Sequence, residues 1–268
     1  MAEKAYTLGN DMDFSMKRRS QFSYIVRRFC KNKAAIGGFV IIVLLLFCAL
    51  FPSVIAPYGY DDQDLTRRWI EPNLEHLCGT DQLGRDIFSR IIYGTRISLS
   101  IGISAVAVSC FFGTILGCIA GYAGNKIDDI IMRFVDIMLA IPNIMLGMSI
   151  VAALGINATN LVIAIGIGSA GGFARIVRAS VMSVKEQEYI EVSRSIGASN
   201  ARIIWRHLLP NCLSPIIVQV TMSVGAAMLA AAGMSFIGLG IAPPSPEWGA
   251  MLSGGRQYLR DHWFIVTF

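Results

Sequence analysis

Four long stretches without a charged side chain constrain this chain more than any other feature of its sequence. They cover residues 34–60, 97–125, 137–174 and 208–246, and together they make up half of the 268 residues. A helix crosses the roughly 30 Å hydrocarbon core of a bilayer with about 20 apolar residues. Only 15% of the residues are charged, whereas soluble domains average about 25%. The sequence therefore predicts a polytopic, all-α membrane protein and argues against a soluble enzyme, a coiled coil or a disulfide scaffold.

Turn signals inside and after these runs predict five membrane spans. The run 137–174 is too long for one upright helix, and the segment Gly155–Asn160 is a plausible turn in its middle. A sixth apolar stretch begins at Trp263, and the sequence stops at Phe268, so we expect a sixth helix that is truncated here. The five complete spans are predicted at about residues 34–56, 97–122, 133–154, 161–176 and 213–237.

The loops between the spans carry an uneven positive charge. With the N-terminus in the cytoplasm, the cytoplasmic segments hold 16 Lys and Arg residues and the outer segments hold 7. Cytoplasmic loops of membrane proteins carry the excess of such residues, so this orientation is favoured. The net charge of +5 then reports orientation, surrounding lipid is expected, and no nucleic-acid partner is required. The predicted parts are a cytoplasmic tail (1–33), a first transmembrane helix (34–56), an extracytoplasmic loop (57–96), and a core (97–268) with a cytoplasmic segment at 183–210.

That cytoplasmic segment reads as two short helices. The first covers about residues 185–196, with Tyr189, Val192 and Ile196 at helical spacing on one face. Gly197 fits the left-handed position that ends a helix, and Ser199 or Asn200 can cap the next one. The apolar face predicts either docking against another protein or contact with the bilayer surface. The pattern alone weights these two interpretations equally.

Chemistry-bearing motifs are absent from the sequence. No Gly-x-x-x-x-Gly-Lys-Ser/Thr loop is present, so the chain cannot be its own ATPase. The six cysteines have no Cys-x-x-Cys spacing, and His76, His207 and His262 all lie outside the predicted spans. We therefore expect no catalytic residues, no metal site and no cofactor in this chain.

The cytoplasmic segment resembles the Glu-Ala-Ala motif of ATP-binding-cassette (ABC) importer permeases. Glu191, Gly197 and the pair Leu209-Pro210 stand at the spacing of that motif, while Val192 and Ser193 replace its two alanines. The resemblance implies a coupling helix that docks into a groove of a cytoplasmic ATPase. The residues it assigns to this role are Glu188, Tyr189, Glu191, Val192, Ser193, Ile196, Gly197, Ala198 and Arg202.

A second segment indicates which group of ABC importer permeases the chain resembles. His76–Arg90, with Tyr93–Arg96, is similar to the hallmark segment of the second permease in dipeptide, oligopeptide and nickel importers, as is the segment Pro244–Gly249. The motif residues are Gly79, Thr80, Asp81, Gly84, Arg85 and Asp86. The resemblance covers about residues 25–268.

This resemblance implies a six-helix type I ABC importer permease fold, located in the bacterial inner membrane. The implied partners are a second permease, two ATPases that hold ATP and magnesium, and an extracytoplasmic binding protein. Short peptides are the leading cargo and nickel or a metal chelate the alternative. A channel or secondary transporter is a rival reading, but the sequence has no second half of the kind those proteins repeat. A membrane-embedded enzyme is a further rival, and it lacks a catalytic constellation.

Several charged residues keep two interpretations. Asp81, Arg85 and Asp86 are predicted either to contact a binding protein or gate or, as we favour, to form a network that fixes their loop. Asp136 is a candidate intramembrane functional carboxylate, although Arg133 on the same helix face is the favoured partner. Pro142 is expected to kink the third span, and the sequence leaves two roles open for the kink, widening a cavity or packing only.

Overall fold

The computed structural model describes residues 21–268, and their side chains from residue 26 onward. The described residues divide into two compact units, one up to residue 47 and one covering residues 48–268. In the first unit, α1 (Gln21–Lys31) is followed by α2 (Lys33–Leu50), whose start is capped by Asn32. The Asn32 side chain accepts hydrogen bonds from the backbone N–H groups of Ala34 and Ala35, at 3.1 and 3.2 Å. Large apolar side chains are exposed all around α2, as in a helix surrounded by lipid.

The prediction of a single helix over residues 34–56 is too long, because the structure divides this segment into two helices. Helix α2 stops at Leu50, and Pro52 opens a separate short helix, α3 (Pro52–Ile55). A residue before proline is pushed out of the helical region, and Phe51 has φ −121° and ψ 46°. The helix therefore ends at Leu50, six residues before the predicted end of the span at residue 56.

The second unit contains the remaining helices. They are α4 (Ile87–Ala123), α5 (Asn125–Ala140), α6 (Asn143–Leu154), α7 (Ala158–Lys185), α8 (Glu188–Ser195), α9 (Asn200–Ile203), α10 (Leu209–Phe236), α11 (Trp248–Gly255) and α12 (Phe264–Thr267). A turn of π-helix, Ile204–Leu208, joins α9 to α10. Short 3-10 turns lie at Leu65–Arg67 and Arg256–Tyr258. This is the all-α architecture that the uncharged runs predicted.

Among the described residues, four helices are long and apolar enough to cross a membrane: α2, α4, α7, and the continuous helical stretch from α9 through α10. Helices α5 and α6 meet at an angle of 90°. If this bent pair counts as one span, the number of spans is five. Pro142 therefore does more than kink the predicted third span. It separates two helices at a break where Ile141 is extended (φ −85°, ψ 127°). The truncated sixth helix stays a prediction, since α12 has only four residues.

Two helix boundaries differ from the prediction, because the helices extend past the uncharged runs into segments that contain charged residues. The predicted loop 57–96 is helical from Ile87 onward, since Asp86 caps α4 there. The predicted fourth span, 161–176, continues to Lys185 because Arg175 and Arg178 find acidic partners on α5. A rule based on uncharged runs cannot detect charges that are paired within a helix bundle.

Two apolar clusters hold the second unit together. The first joins α4, α6, α7 and α10 through buried residues such as Ile101, Val151, Phe173 and Met234. The second lies toward the C-terminal ends of α4 and α7, and Ile190 of α8 and Ile203 of α9 are buried in it. Helices α4 and α7 pack along each other at glycines, since a Cβ atom at Gly117 would lie 2.5 Å from the Ala174 carbonyl oxygen. The second cluster fixes the predicted coupling segment onto the helix bundle.

Candidate functional site: the coupling segment and the motif loop

The predicted coupling segment has the helix–turn–helix form expected from its sequence. Helix α8 ends just before Gly197, whose φ of +85° lies in the left-handed region that favours glycine. The backbone N–H groups of Gly197 and Ala198 close the helix end by donating to Arg194 and Ser193 carbonyl oxygens, at 3.0 and 3.1 Å. Ser199, one of the two predicted caps, accepts a hydrogen bond from the Arg202 N–H at 3.4 Å. The first helix begins at Glu188, three residues later than predicted.

The two faces of α8 differ sharply in exposure. Ile190 is 1% exposed within the second cluster, whereas Tyr189, Val192 and Ile196 are 42, 59 and 79% exposed. These three residues form an outward apolar surface, which we call the coupling stripe. Glu188, Glu191 and Arg202 are also exposed, and Ser193 is half-buried and donates its hydroxyl to the Tyr189 carbonyl at 2.7 Å. Burial of Ile190 thus fixes α8 on the helix bundle, while the coupling stripe on the other side of the helix stays exposed.

Tyr122, at the end of α4, is a contact that the sequence analysis missed. Its hydroxyl donates to the Asn200 side-chain oxygen at 2.6 Å, and its carbonyl accepts from the Lys185 ammonium at 2.7 Å. The cations of Lys185 and Arg194 lie 5.7 and 5.9 Å from the centre of its ring. Such cation–π geometry adds to the hydrogen bonds. A single residue of α4 therefore contacts α7, α8 and α9.

Two ion pairs connect α5 to α7, and one of them corrects a prediction. Asp136 pairs with Arg175 at 2.6 Å, whereas Arg133 was the predicted partner. The helix-face argument considered only one helix, and Arg175 lies 39 residues away in the chain. Asp128 receives two hydrogen bonds of 2.5 Å from the guanidinium of Arg178, in a bidentate pair. A gate or cavity role for Asp136 and Pro142 stays a prediction.

The motif loop, residues 57–86, is ordered by the acidic network that the sequence analysis favoured. Asp81 binds the guanidinium of Arg85 at 2.7 Å, and it also accepts from the backbone N–H groups of Leu83 and Arg85. Asp86 accepts from the Ser89 N–H at 2.7 Å and thereby caps α4. All three charged motif residues are at most 6% exposed, so these contacts satisfy buried charges.

The uncharged motif residues serve the same loop. The Thr80 hydroxyl donates to the Arg67 carbonyl oxygen at 2.6 Å and accepts from the Ile70 N–H at 2.9 Å. Gly79 and Gly84 have φ of +79° and +73°. A Cβ atom at Gly84 would overlap the backbone carbonyl of Asp64, so no larger residue fits there. The motif therefore encodes one compact loop conformation.

Three buried groups near the motif loop were not singled out from the sequence. His76 donates through Nδ1 to the Asp86 carboxylate at 2.9 Å, and Arg90 donates to the Tyr60 carbonyl at 2.7 Å. Glu247 is 1% exposed and accepts from two backbone N–H groups at the start of α11. Burial and the nearby Asp86 carboxylate raise the pKa of the Cys78 thiol. All three lie in the segments that carry the family resemblance, but only the fold shows which groups they contact.

Comparison with known families assigns the chain to a family. Residues 113–266 match the family described as binding-protein-dependent transport system inner membrane component. Residues 20–74 match the N-terminal transmembrane domain of oligopeptide transport permease C. The chain belongs to this family of ABC importer permeases. It is therefore a membrane subunit of an ABC transport system, as both resemblances implied.

Alignments with curated relatives cover most of both chains. The di/tripeptide transport system permease protein DppC of Pseudomonas aeruginosa is 44% identical over 89% of this chain and 81% of the relative. The dipeptide permease DppC of Alkalihalophilus pseudofirmus is 47% identical over 89% and 78% of the two chains. The glutathione transport system permease protein GsiD of Pectobacterium atrosepticum is 43% identical over 86% and 77%.

Solved structures support the fold of the permease. A chain of an amino acid ABC transporter aligns with a TM-score of 0.51 at 16% identity, covering 67% of this chain and 84% of that one. A chain of the MetNI methionine ABC transporter aligns with a TM-score of 0.50 at 21% identity, covering 66% and 85%. At these identities the likeness concerns the fold alone.

Proposed function

We propose that this permease imports short peptides, delivered by an extracytoplasmic binding protein and driven by two cytoplasmic ATPase subunits. The observation that carries the cargo is the set of relatives named for dipeptides, tripeptides and glutathione, at 43–47% identity. None of these relatives is named for nickel. In the part of the chain that the structure describes, no group of three His, Cys, Asp or Glu residues is placed to hold a metal ion.

The coupling stripe is the proposed contact with the ATPase. Tyr189, Val192 and Ile196 expose apolar surface, while the opposite face of α8 is fixed through Ile190. Exposed apolar surface on a structured helix is typical of a docking site. Movement of a docked ATPase would reach the bundle through Ile190, Ile203 and the contacts of Tyr122. In this proposal ATP and magnesium bind only the ATPase subunits, and the chain itself contributes no catalytic residue.

The proposed assembly includes a second, homologous permease in the inner membrane, with the N-terminus of this chain in the cytoplasm. The motif loop then lies outside, where the binding protein docks, and the coupling segment lies inside. The 16-to-7 division of positive charge supports this orientation. Residues 1–20 of the proposed cytoplasmic tail lie outside the described residues.

Reconstitution of the whole complex in proteoliposomes tests the cargo. With the binding protein present, dialanine is expected to stimulate ATP hydrolysis and to accumulate inside, whereas nickel is expected to do neither. Dialanine uptake without ATP would instead indicate a channel or secondary transporter. Uptake of nickel but not of any dipeptide or tripeptide would contradict the proposed cargo.

A pair of matched variants tests the coupling stripe. Ile196→Asp puts a charge on the stripe at a position that is 79% exposed, so the fold should tolerate it. Leu74→Asp makes the same change in the motif loop at a position that is 98% exposed. We expect only Ile196→Asp to release the ATPase subunits during purification and to abolish stimulated ATP hydrolysis. Normal recovery of the ATPases with the Ile196 variant would favour the alternative, in which the stripe contacts the bilayer surface.

A further inference from the structure

A cavity lies between the motif loop and the C-terminal segment of the permease. Its enclosed volume is about 80 Å³, and about 530 Å³ when the open space at its mouth is included. The motif side contributes Asp81, Arg85 and Arg90, and the opposite side contributes mainly apolar groups such as Met251 and Ile265. Binding cavities for small molecules combine apolar walls with a few polar groups. This cavity has that composition, and its enclosed part has room for one end of a small molecule, with the remainder in the mouth.

The charged groups of the cavity do not balance. Arg85 and Arg90 are 6 and 5% exposed, and Asp81 is the carboxylate that faces them. The Nε and Nη2 atoms of Arg85 are both 2.7 Å from Asp81 Oδ2, so that carboxylate is engaged. Arg90 Nε is 3.8 Å from the same oxygen, beyond hydrogen-bond distance. The nearby Asp61 is exposed to solvent, which screens its charge. The two buried guanidinium groups therefore share one carboxylate, and Arg90 makes only a long ion pair with it.

Arg90 also has unused hydrogen-bond donors. A guanidinium carries five N–H donors, and Arg90 makes one side-chain hydrogen bond, to the Tyr60 carbonyl oxygen. Among the described side chains, the fully enclosed N and O atoms without a partner are His76 Nε2 and Ser235 Oγ. The free N–H groups of Arg90 are therefore not enclosed by protein atoms, and the open space that Arg90 lines is the cavity. Buried guanidinium groups normally have their donors satisfied, so these donors point to a ligand.

We propose that this cavity binds the carboxylate of a small molecule, and that Arg90 is its principal ligand-binding residue. A guanidinium with free N–H groups matches a carboxylate in charge and can bind it through two parallel hydrogen bonds. Arg85 Nη1, which has no hydrogen-bond partner here, is the second donor. The apolar wall around Met251 and Ile265 accommodates the rest of the molecule. Resting on the proposed function, the expected carboxylate is the free C-terminus of a short peptide.

Direct binding measurements on the complex of both permeases and the ATPases, without the binding protein, test this site. Saturation-transfer difference NMR with dialanine and with its C-terminal amide separates the carboxylate from the rest of the peptide. We expect dialanine to bind, the amide to bind much more weakly, and Arg90→Gln to weaken dialanine binding by about tenfold or more. Arg96→Gln, an exposed position on the same helix, removes the same charge and should leave binding unchanged.

A second variant keeps the test decisive if Arg90→Gln does not fold. Ala250→Leu fills the cavity from the apolar side without altering any charged group, and it should also abolish dialanine binding. Equal binding of dialanine and its amide, or undiminished binding by Arg90→Gln or Ala250→Leu, would overturn the proposal. Absence of dialanine binding to the wild-type complex would overturn it as well.

Two further measurements separate this proposal from its alternatives. If Arg90→Gln raises the concentration of binding protein needed for half-maximal ATP hydrolysis while dialanine does not bind the complex, the carboxylate belongs to the docked protein and the small-ligand site is wrong. If dialanine binds through Arg90 but is not transported in the reconstituted system, the cavity stands and only the proposed peptide cargo fails.

Discussion

The contact between α4 and α7 at Gly117 allows a sharp test of how closely the two helices approach. In the Gly117→Ala variant the new Cβ atom would lie 2.5 Å from the Ala174 carbonyl oxygen, 2.8 Å from Val177 Cβ and 2.9 Å from the Arg178 backbone nitrogen. Ordinary van der Waals contacts of a Cβ atom begin at 3.4 Å. Backbone atoms and a Cβ atom cannot rotate away, so the helices must separate by roughly 0.9 Å to restore that contact.

The magnitude follows from comparison with a glycine that has free space. Insertion of a methyl group into a tightly packed interface costs about 1–3 kcal/mol. A Cβ atom at Gly172, inside α7, would meet nothing within 4 Å. Replacement by alanine raises helix propensity at both interior positions, so this gain cancels between the two variants. We therefore expect Gly117→Ala to be about 1–3 kcal/mol less stable than Gly172→Ala.

Titration of the purified protein in mixed micelles with sodium dodecyl sulfate measures this difference. The loss of helix, followed by circular dichroism, gives an unfolding free energy for each variant, and 1.4 kcal/mol corresponds to tenfold in the unfolding equilibrium. Equal stability of Gly117→Ala and Gly172→Ala would refute the close contact, because a separation of the helices that costs nothing means that they do not touch there.

Three other predictions concern the coupling segment, the α5–α7 pair and the motif loop. Gly197→Leu forces a bulky side chain to φ +85°, which destabilises that backbone conformation by about 1–2 kcal/mol. Affinity for the ATPase should therefore fall about 5- to 30-fold, whereas Gly197→Asn should lose much less affinity. A binding titration with purified ATPase measures both. Asp136→Arg should impair transport and be rescued by Arg175→Asp but not by Arg133→Asp; rescue through Arg133 would contradict the observed pair. In a variant with Cys78 as its single cysteine, the raised pKa leaves less thiolate at a given pH, so alkylation should be slow at pH 8 and still accelerate above pH 9. A plateau in that rate by pH 8 would contradict a raised pKa, and labelling of intact cells by an impermeant maleimide would place the loop outside.

Local backbone signals were readable from the sequence. Gly197 adopts the left-handed conformation that its place after an apolar helical pattern predicted, and Ser199 caps the next helix. Both effects depend on residues within a few positions of each other, so the sequence contains all the information needed. The network of Asp81 with Arg85 was predictable for the same reason, since the two are four residues apart.

Contacts between distant segments were not readable in this way. The Asp136 carboxylate pairs with Arg175 rather than Arg133, because the packing of α5 on α7 decides which cation is near. Tyr122 shows no sequence pattern, yet it contacts residues of three other helices. Arg90 was quoted only as part of a motif, and its place in the cavity depends on where residues 243–265 fold back. Pro142 signalled a distortion, but the neighbouring helices determine that it is a 90° turn.

The length of α4 has a mechanical consequence. Its 37 residues form one continuous helix of about 55 Å, while the hydrocarbon core of a bilayer is about 30 Å thick. The Arg90 cavity lies at its first turn and the Tyr122 contacts lie at its last, and the helix is unbroken between them. A rigid rod of this length converts a tilt of about 10° into a displacement of nearly 10 Å at the far end. The tilt of this one helix would then link occupancy of the cavity to the position of the coupling segment.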